Sequence, residues 1–286
     1  ASDNKGGMAS MVYGAKIINK ARIEFDGTLY IAGVVQEEDC EGFAISKIID
    51  KIKPDYVLLG ECTSLNVNIG HRGRAEIKVV TKGKACHAST PNRGENAIYN
   101  MLPIIEKIKK IRFKRHKFLG RGTIAVTKIE SSSPSLNAIP DECKIYLDRR
   151  LTFGETKESC IKELKEIADK ARVEVLRYNS TSYKGKLADL EKYFPTWLME
   201  QKHEFVQKAV ETGRLILGKK PKIGKWDFST DGIYTMGIAR IPTIGFGPGE
   251  EKYAHTNEDN VMINELVNAS AFYALFPNIL LGGDKK

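Results

Sequence analysis

The sequence lacks the features that would place the chain in a membrane or in an oxidising compartment. None of its apolar runs approaches the roughly 20 residues that a membrane-spanning helix requires, and its opening residues, Ala-Ser-Asp, do not resemble a signal peptide. Its five cysteines are an odd number with no C-x-x-C pair, a pattern typical of reduced and mostly buried thiols. The sequence therefore predicts a cytoplasmic protein without a membrane partner.

Low-complexity tracts and internal repeats are also lacking. The 286 residues are 42% hydrophobic and 28% charged, which is an ordinary globular composition for two domains or one large one. Lysine and arginine (45) outnumber aspartate and glutamate (36), giving a formal charge of +9. Because the basic residues are spread along the chain, apart from short clusters such as 109–117, we expect a lysine-rich solvated surface and no nucleic-acid partner.

Both ends of the chain show the helix and strand patterns of an α/β domain with a parallel sheet. The first part predicts a helix, a buried strand, a helix and a second strand, and the last part predicts a helix, a strand and a helix. The predicted helices are 8–20, 42–52, 203–217 and 260–276, and the predicted strands are 28–35, 55–60 and IARIPTIGF within 236–246.

The middle of the chain follows the order β-α-β-β-α-β, which is typical of a ferredoxin-like domain. The predicted strands are 74–82, 122–130, 142–150 and 172–178, and the predicted helices are 94–111 and 155–171. The sequence therefore predicts an α/β fold in which a ferredoxin-like domain (74–183) is inserted into an α/β domain made of residues 1–73 and 184–286.

Four carboxylates and a histidine fall at related places in the predicted α/β domain. They are Asp3 before the first helix, Glu37 and Glu38 after the first strand, Glu61 after the second strand, and His255 after the last strand. Ligands bind at the carboxyl ends of strands in an open α/β sheet, and converging carboxylates repel one another without a cation. Oxygen ligands with an imidazole and no thiolate suit zinc, cobalt or manganese.

Each of these residues also has an ordinary structural interpretation. Asp3 could cap the first helix, Glu37 and Glu38 could be a solvated loop pair, Glu61 could cap the next segment, and His255 could lie on the surface. Their joint occurrence at one sheet edge favours the metal site over any of these single explanations.

Seven motifs, taken together, resemble the ArgE/DapE/carboxypeptidase-G family of dinuclear metal aminoacylases and peptidases. They are ASDNKGGMAS, QEEDCEG, LGECTS, GKACHAS, NAIPDE followed by LDRR, STDG, and GFGPGEEKYAHTNED, in order from the first residue to about residue 261. The motifs QEEDC, GHRGR, SSSPS and LDRRLT are most similar to the YgeY-like subgroup of hydrolases linked to selenium metabolism. The resemblance implies a zinc-exopeptidase-like catalytic domain with an inserted lid and dimerisation domain.

The resemblance also implies roles for the residues at the sheet edge. Asp3 would bridge two metals, Glu37 would be the general base, Glu38 and His255 would bind one metal, and Glu61 would bind the other. Zinc is the implied cofactor, in two sites, with cobalt or manganese possible. An adjacent pair of glutamates suits this division between metal binding and proton transfer.

Further implied roles fall on the inserted domain and on a glycine-rich turn. His87 would reach into the active site of a partner subunit and stabilise the oxyanion, and Asn137 and Arg150 would contact the substrate or its carboxylate. Gly247 and Gly249 would shape the pocket. The alternatives are that His87 is an ordinary loop histidine and that Arg150 pairs with Asp148 or another acid.

One family motif is absent from the chain, because only Ala1 and Ser2 precede Asp3 where an earlier His-x-Asp would be expected. On this basis the chain would begin within a domain, bind at most one metal tightly and be nearly inactive. The resemblance implies a homodimeric two-metal amidohydrolase that cleaves an N-acyl amino acid, or a short peptide beside its free carboxylate. The alternative is a catalytically degenerate member that acts only in binding or oligomerisation.

Overall fold

A computed structural model describes residues 1–133 and 135–282, so Pro134 of the SSSPS motif lies outside the described residues. The chain divides into two compact units. Among the described residues, the first unit combines 1–71 with 197–282, and the second unit lies within 72–196. Within the described ranges, no helix is long and apolar enough to cross a membrane.

The secondary structure alternates between helical and extended elements in both units. The α-helices are α1 (Lys5–Ala21), α2 (Phe43–Ile52), α3 (Ala97–Ile108), α4 (Lys157–Ala168), α5 (Glu204–Leu217), α6 (Gly232–Thr235) and α7 (Ile263–Leu281). The strands are β1 (Val57–Leu59), β2 (Val67–His71), β3 (Gly73–Lys82), β4 (Cys86–His87), β5 (Arg115–His116), β6 (Gly120–Arg121), β7 (Thr123–Ser131), β8 (Ala138–Ile139), β9 (Glu142–Leu151), β10 (Arg172–Val175), β11 (Arg177–Thr181), β12 (Leu187–Glu191), β13 (Tyr193–Phe194), β14 (Trp197–Leu198), β15 (Ile223–Trp226) and β16 (Thr243–Gly245).

The first unit is built on a mixed sheet with the order β1-β16-β2-β14, and β15 also pairs with β2. β1 runs parallel to β16 and β15 runs parallel to β2, whereas β2 is antiparallel to both β16 and β14. The prediction of a parallel sheet is therefore wrong for the pairs β2–β16 and β2–β14, which are antiparallel. Stacked aromatic rings fill the core between the sheet and α7, with the Phe246 and Phe272 centroids 3.7 Å apart.

The second unit confirms the inserted domain. Its main sheet has the order β10-β3-β9-β7 and every pairing is antiparallel. Counting only the strands of the β-α-β-β-α-β unit, this is the order 4-1-3-2 of a ferredoxin-like sheet. Buried and half-buried residues alternate along β9, because α3 and α4 cover one face of the sheet. The unit extends to residue 196, beyond the predicted 183, because β13 pairs with β3.

The predicted buried strand at 28–35 is wrong. The segment is irregular, and its large apolar side chains, including Leu29, Tyr30 and Val35, are exposed. A strand needs a neighbour to satisfy its backbone groups, and no strand of residues 1–133 or 135–282 pairs with this segment. The strand IARIPTIGF predicted within 236–246 is likewise reduced to β16, because the chain between α6 and β16 forms a turn followed by irregular backbone.

Candidate metal centre

Asp3, Glu38 and His255 lie together in the first unit. The Nε2 atom of His255 is 3.1 Å from Oδ2 of Asp3 and 3.1 Å from Oε2 of Glu38. One potential ligand atom from each residue lies within 4.8 Å of the other two. Asp3 is mostly buried, whereas Glu38 and His255 are exposed, so the three form an open site with a buried carboxylate at its base.

The backbone around these residues explains their convergence. Asp3 precedes α1, whose N-cap is Asn4 without a side-chain capping bond, so Asp3 is not the helix cap. Glu38 lies in the loop that leads into α2, and His255 adopts a left-handed backbone conformation (φ +57°) after the short 3-10 helix Glu251–Tyr253. Three separate segments therefore bring their side chains to one place.

Further carboxyl groups, half-buried or buried, lie next to this group. Burial and the neighbouring carboxylates of Glu61, Asp231 and Glu41 raise the pKa of Glu37 to about 10. Burial and Asp3 raise the pKa of Glu61 to about 8, although a hydrogen bond with Asn4 opposes the shift. Such a concentration of carboxyl groups costs free energy when the groups are ionised, unless a cation neutralises them.

The pKa values of Glu38 and Asp231 are also raised. Burial and Asp3 raise the pKa of Glu38, while His255 lowers it. Burial raises the pKa of Asp231 to about 6, even though Oδ1 of Asp231 accepts a hydrogen bond of 2.7 Å from the backbone N–H of Gly42. Asp231 is part of the STDG motif, but no local pattern in the sequence indicates a role for it. Its position near Glu37 depends on a contact between residues that are distant in sequence.

The donor set fits a divalent metal ion. Two carboxylate oxygens and one imidazole nitrogen provide the three protein ligands that a catalytic zinc site uses. The nearby thiol of Cys62 is a poor competitor, because burial and Glu61 raise its pKa to about 12 and keep it protonated. Among the described residues, the group whose ligand atoms converge does not include Glu61.

The glycine-rich turn supports the loop that carries Glu61. The carbonyl oxygen of Gly247 accepts hydrogen bonds from the backbone N–H groups of Thr63 (3.3 Å) and Leu65 (3.0 Å). A Cβ atom at Gly247 would lie 2.3 Å from the carbonyl oxygen of Glu61, so the two chain segments can approach this closely only with glycine there. Gly249 adopts φ +91° and its carbonyl accepts from Ser64 N–H at 2.8 Å.

His87 and Asn137 lie next to each other in the second unit. β4, which contains His87, pairs with β8, and the backbone N–H of Ala88 donates to the carbonyl of Asn137 at 2.8 Å. Nδ1 of the exposed His87 accepts from Ser89 N–H at 3.2 Å and lies 2.7 Å from Ser89 Oγ. These contacts hold the imidazole ring in one orientation.

Arg150 forms an ion pair with Asp148, which was the alternative interpretation of this residue. Its Nε and one terminal nitrogen donate to the two carboxylate oxygens of Asp148 at 2.7 and 3.1 Å. The adjacent Arg149, for which the sequence suggested no function, is fully buried, pairs with Glu155 at 2.6 Å and lies over the ring of Phe113.

The raised carboxyl pKa values predict a pH-dependent stability for the metal-free protein. The folded-state pKa values of Glu37 and Glu61 exceed the unfolded value of 4.5, so the folded state holds protons that the unfolded state has released. The free energy of unfolding should therefore fall as the pH rises from about 5 to about 9. Urea unfolding at about pH 5.5, 7 and 8.5, after chelation, measures this trend. A flat profile would contradict it, and added zinc should weaken the dependence.

Comparisons with known proteins identify the class to which this fold and site belong. A protein-family model described as a peptidase dimerisation domain matches residues 69–175. The chain is 42% identical over 284 residues to the uncharacterized protein YgeY of Escherichia coli K12, covering 96% of this chain and 70% of that protein. The chain belongs to the M20 family of peptidases, as the motifs of the sequence indicated.

Two further proteins are similar over most of the chain. An N-formyl-4-amino-5-aminomethyl-2-methylpyrimidine deformylase of Bacillus subtilis is 26% identical, covering 93% of this chain and 67% of that protein. The crystal structure of YXEP of Bacillus subtilis, described as a dinuclear metal binding peptidase of the M20 family, superposes with a TM-score of 0.69 at 16% identity, covering 96% of this chain and 70% of that one. The structural likeness confirms the fold.

Proposed function

We propose that the protein is a metal-dependent amidohydrolase that cleaves an N-acyl amino acid, or a peptide bond beside a free carboxylate. The observation that carries the proposal is the convergence of Asp3, Glu38 and His255 within 4.8 Å, with the half-buried Glu37 adjacent to Glu38 in the chain. Zinc is the proposed metal, in two sites as in the resemblance, with cobalt or manganese as alternatives.

Asp3, Glu38 and His255 would hold one ion, and Glu61, with Asp3, would contribute to a second. A bound zinc ion supplies Lewis-acid polarisation of an amide carbonyl and makes water acidic near neutral pH. Glu37 accepts the proton of the attacking water and delivers it to the leaving amine nitrogen. A glutamate carboxylate suits both transfers, because it can accept the proton of water and return it to the leaving amine.

Residues of the inserted domain complete the proposed mechanism. His87 of a partner subunit donates a hydrogen bond to the oxyanion that forms on the scissile carbonyl. Asn137 and Arg150 bind the substrate and its free carboxylate, and Gly247 and Gly249 shape the pocket. Arg150 could hold a carboxylate through two parallel hydrogen bonds, as it holds Asp148 in this structure.

We also propose that the protein is a homodimer that forms through the inserted domain. The peptidase dimerisation domain model covers most of this unit. β7 pairs with β9 on one side and is the last strand of its sheet, and its Val126 and Ile129 are exposed. A second copy could pair with this edge around a twofold axis.

A cytoplasmic location is proposed because all five cysteines are free thiols.

A second candidate is a degenerate family member that binds or oligomerises without catalysis. The observation that favours it is the absence of Glu61 from the converging ligand group of the described residues. The two candidates differ in their response to metal, because only an enzyme gains turnover when a metal is supplied.

An activity screen on the full-length protein tests the proposed function. We expect hydrolysis within a panel of N-acetyl amino acids, N-succinyl amines and dipeptides, loss of that activity after chelation, and recovery with zinc, cobalt or manganese. Metal-independent turnover, or no turnover of the whole panel with bound metal, would contradict the proposal.

A further inference from the structure

Asp259, which follows His255 in the same loop, anchors the residue that precedes Asp3. Its Oδ1 atom accepts hydrogen bonds from the backbone N–H of Ser2 at 2.8 Å and from the hydroxyl of Ser2 at 2.7 Å. Ser2 is fully buried, so this carboxylate connects the two distant segments that supply Asp3 and His255.

The loop that carries His255 is itself held together by hydrogen bonds. The hydroxyl of Thr256 donates to the carbonyl of Tyr253 at 2.9 Å and accepts from Glu258 N–H at 3.2 Å. The backbone N–H of Asp259 donates to the carbonyl of Thr256 at 3.3 Å. The position of Asp259 is therefore coupled to that of His255.

Gly249 closes the other side of Ser2. A Cβ atom at Gly249 would lie only 2.7 Å from Cβ of Ser2, so the serine packs directly on the glycine backbone. The N–H of Gly249 donates to Oε2 of Glu265 at 2.7 Å, which fixes this backbone to α7. Ser2 is thus held between Asp259 and an anchored turn.

We propose that Asp259 is a positioning residue of the metal centre, which acts through Ser2 to fix the carboxylate of Asp3 relative to His255. The inference rests on the proposed function. The carboxylates of Asp3 and Glu38 repel each other, so a contact outside the ligand set is needed to keep Asp3 in place before a metal binds. Partners that orient metal ligands in this way typically contribute 10- to 100-fold to metal affinity.

The test compares the zinc affinity of two neighbouring alanine variants, measured by competition with a chromophoric chelator. Asp259→Ala should raise the Kd for zinc about 10- to 100-fold. Glu258→Ala removes the same charge from the same loop, and among the described residues its carboxylate makes no hydrogen bond or ion pair, so its Kd should stay within about threefold of wild type. Equal affinity of the two variants would overturn the proposal.

A double-mutant cycle with Ser2→Ala tests whether the effect passes through the serine. Ser2→Ala alone should raise the Kd, and adding it to Asp259→Ala should change the Kd little further, because the contact is already lost. Effects that simply add would overturn the proposed route through Ser2.

Thermal unfolding of the metal-free variants shows whether each one folds. If Asp259→Ala does not fold, Ser2→Ala carries the test, because it keeps the charge and loses only the hydroxyl contact; an unchanged Kd in that variant would overturn the proposal. A wild-type protein that binds no zinc would contradict the proposed function itself. Tight zinc binding by wild type and Asp259→Ala alike would contradict only the positioning role.

Discussion

Replacing Glu37 with glutamine should lower kcat by a factor of about 10²–10⁴, the usual contribution of a general base. Glutamine has nearly the same shape but cannot accept and return a proton. Because Glu37 is not one of the three converging ligands, the variant should keep its fold and its affinity for metal. Steady-state kinetics on the best substrate of the panel, together with a zinc titration of the same preparation, measure both parts.

Asp39→Asn provides a matched control for this variant. Asp39 lies in the same loop and is exposed, and the variant makes the same change from a carboxylate to an amide. The kcat of Asp39→Asn should therefore stay within about threefold of wild type. Near-normal turnover in Glu37→Gln would exclude Glu37 as the general base. A fall of the same size in both variants would indicate a general effect of negative charge near the site.

Replacing His87 with alanine should lower kcat by about 10²–10³-fold, the usual loss when a donor to the oxyanion is removed. If His87 acts in the site of a partner subunit, mixing His87→Ala chains with Glu37→Gln chains should restore some activity. A heterodimer of His87→Ala and Glu37→Gln chains contains one site with both an intact Glu37 and an intact His87.

Random exchange of equal amounts of the two chains should restore up to about a quarter of wild-type activity, because half of the dimers are mixed and each has one complete site. Light scattering should first show a mass of twice the 31.9 kDa chain. The control mixes His87→Ala with wild-type protein, and the activity of this mixture should equal that of the wild-type chains alone. Exchange without recovery in the double mixture would argue against a role of His87 across the interface.

The helices and the inserted sheet could be predicted from the sequence because local patterns determine them. The apolar face of α3 and the alternation along β9 indicate their types directly. The strand predicted at 28–35 is wrong because apolar composition does not reveal whether a neighbouring strand is available to pair with it. β2 was missed because it is short, fully buried and contains Asn68 and His71, so it shows neither alternation nor a continuous apolar run.

The candidate site was predictable as a set of residues but not in its detail. The positions of Asp3, Glu38 and His255 at element ends suggested that they converge, and the structure brings these three together. The roles that the resemblance implies for them stay predictions. The contacts of Asp231 with Gly42 and of Asp259 with Ser2 join residues far apart in the chain, and no local pattern encodes such pairs.

The most direct test of the metal centre is a calorimetric zinc titration of the metal-free protein, with His255→Ala alongside. The wild type should bind zinc at least about tenfold more tightly than the variant. Binding near neutral pH should also release protons, because the ligands and the neighbouring carboxyl groups must ionise when the cation enters. Equal affinities for the two proteins, or binding without proton release, would contradict a metal centre at Asp3, Glu38 and His255.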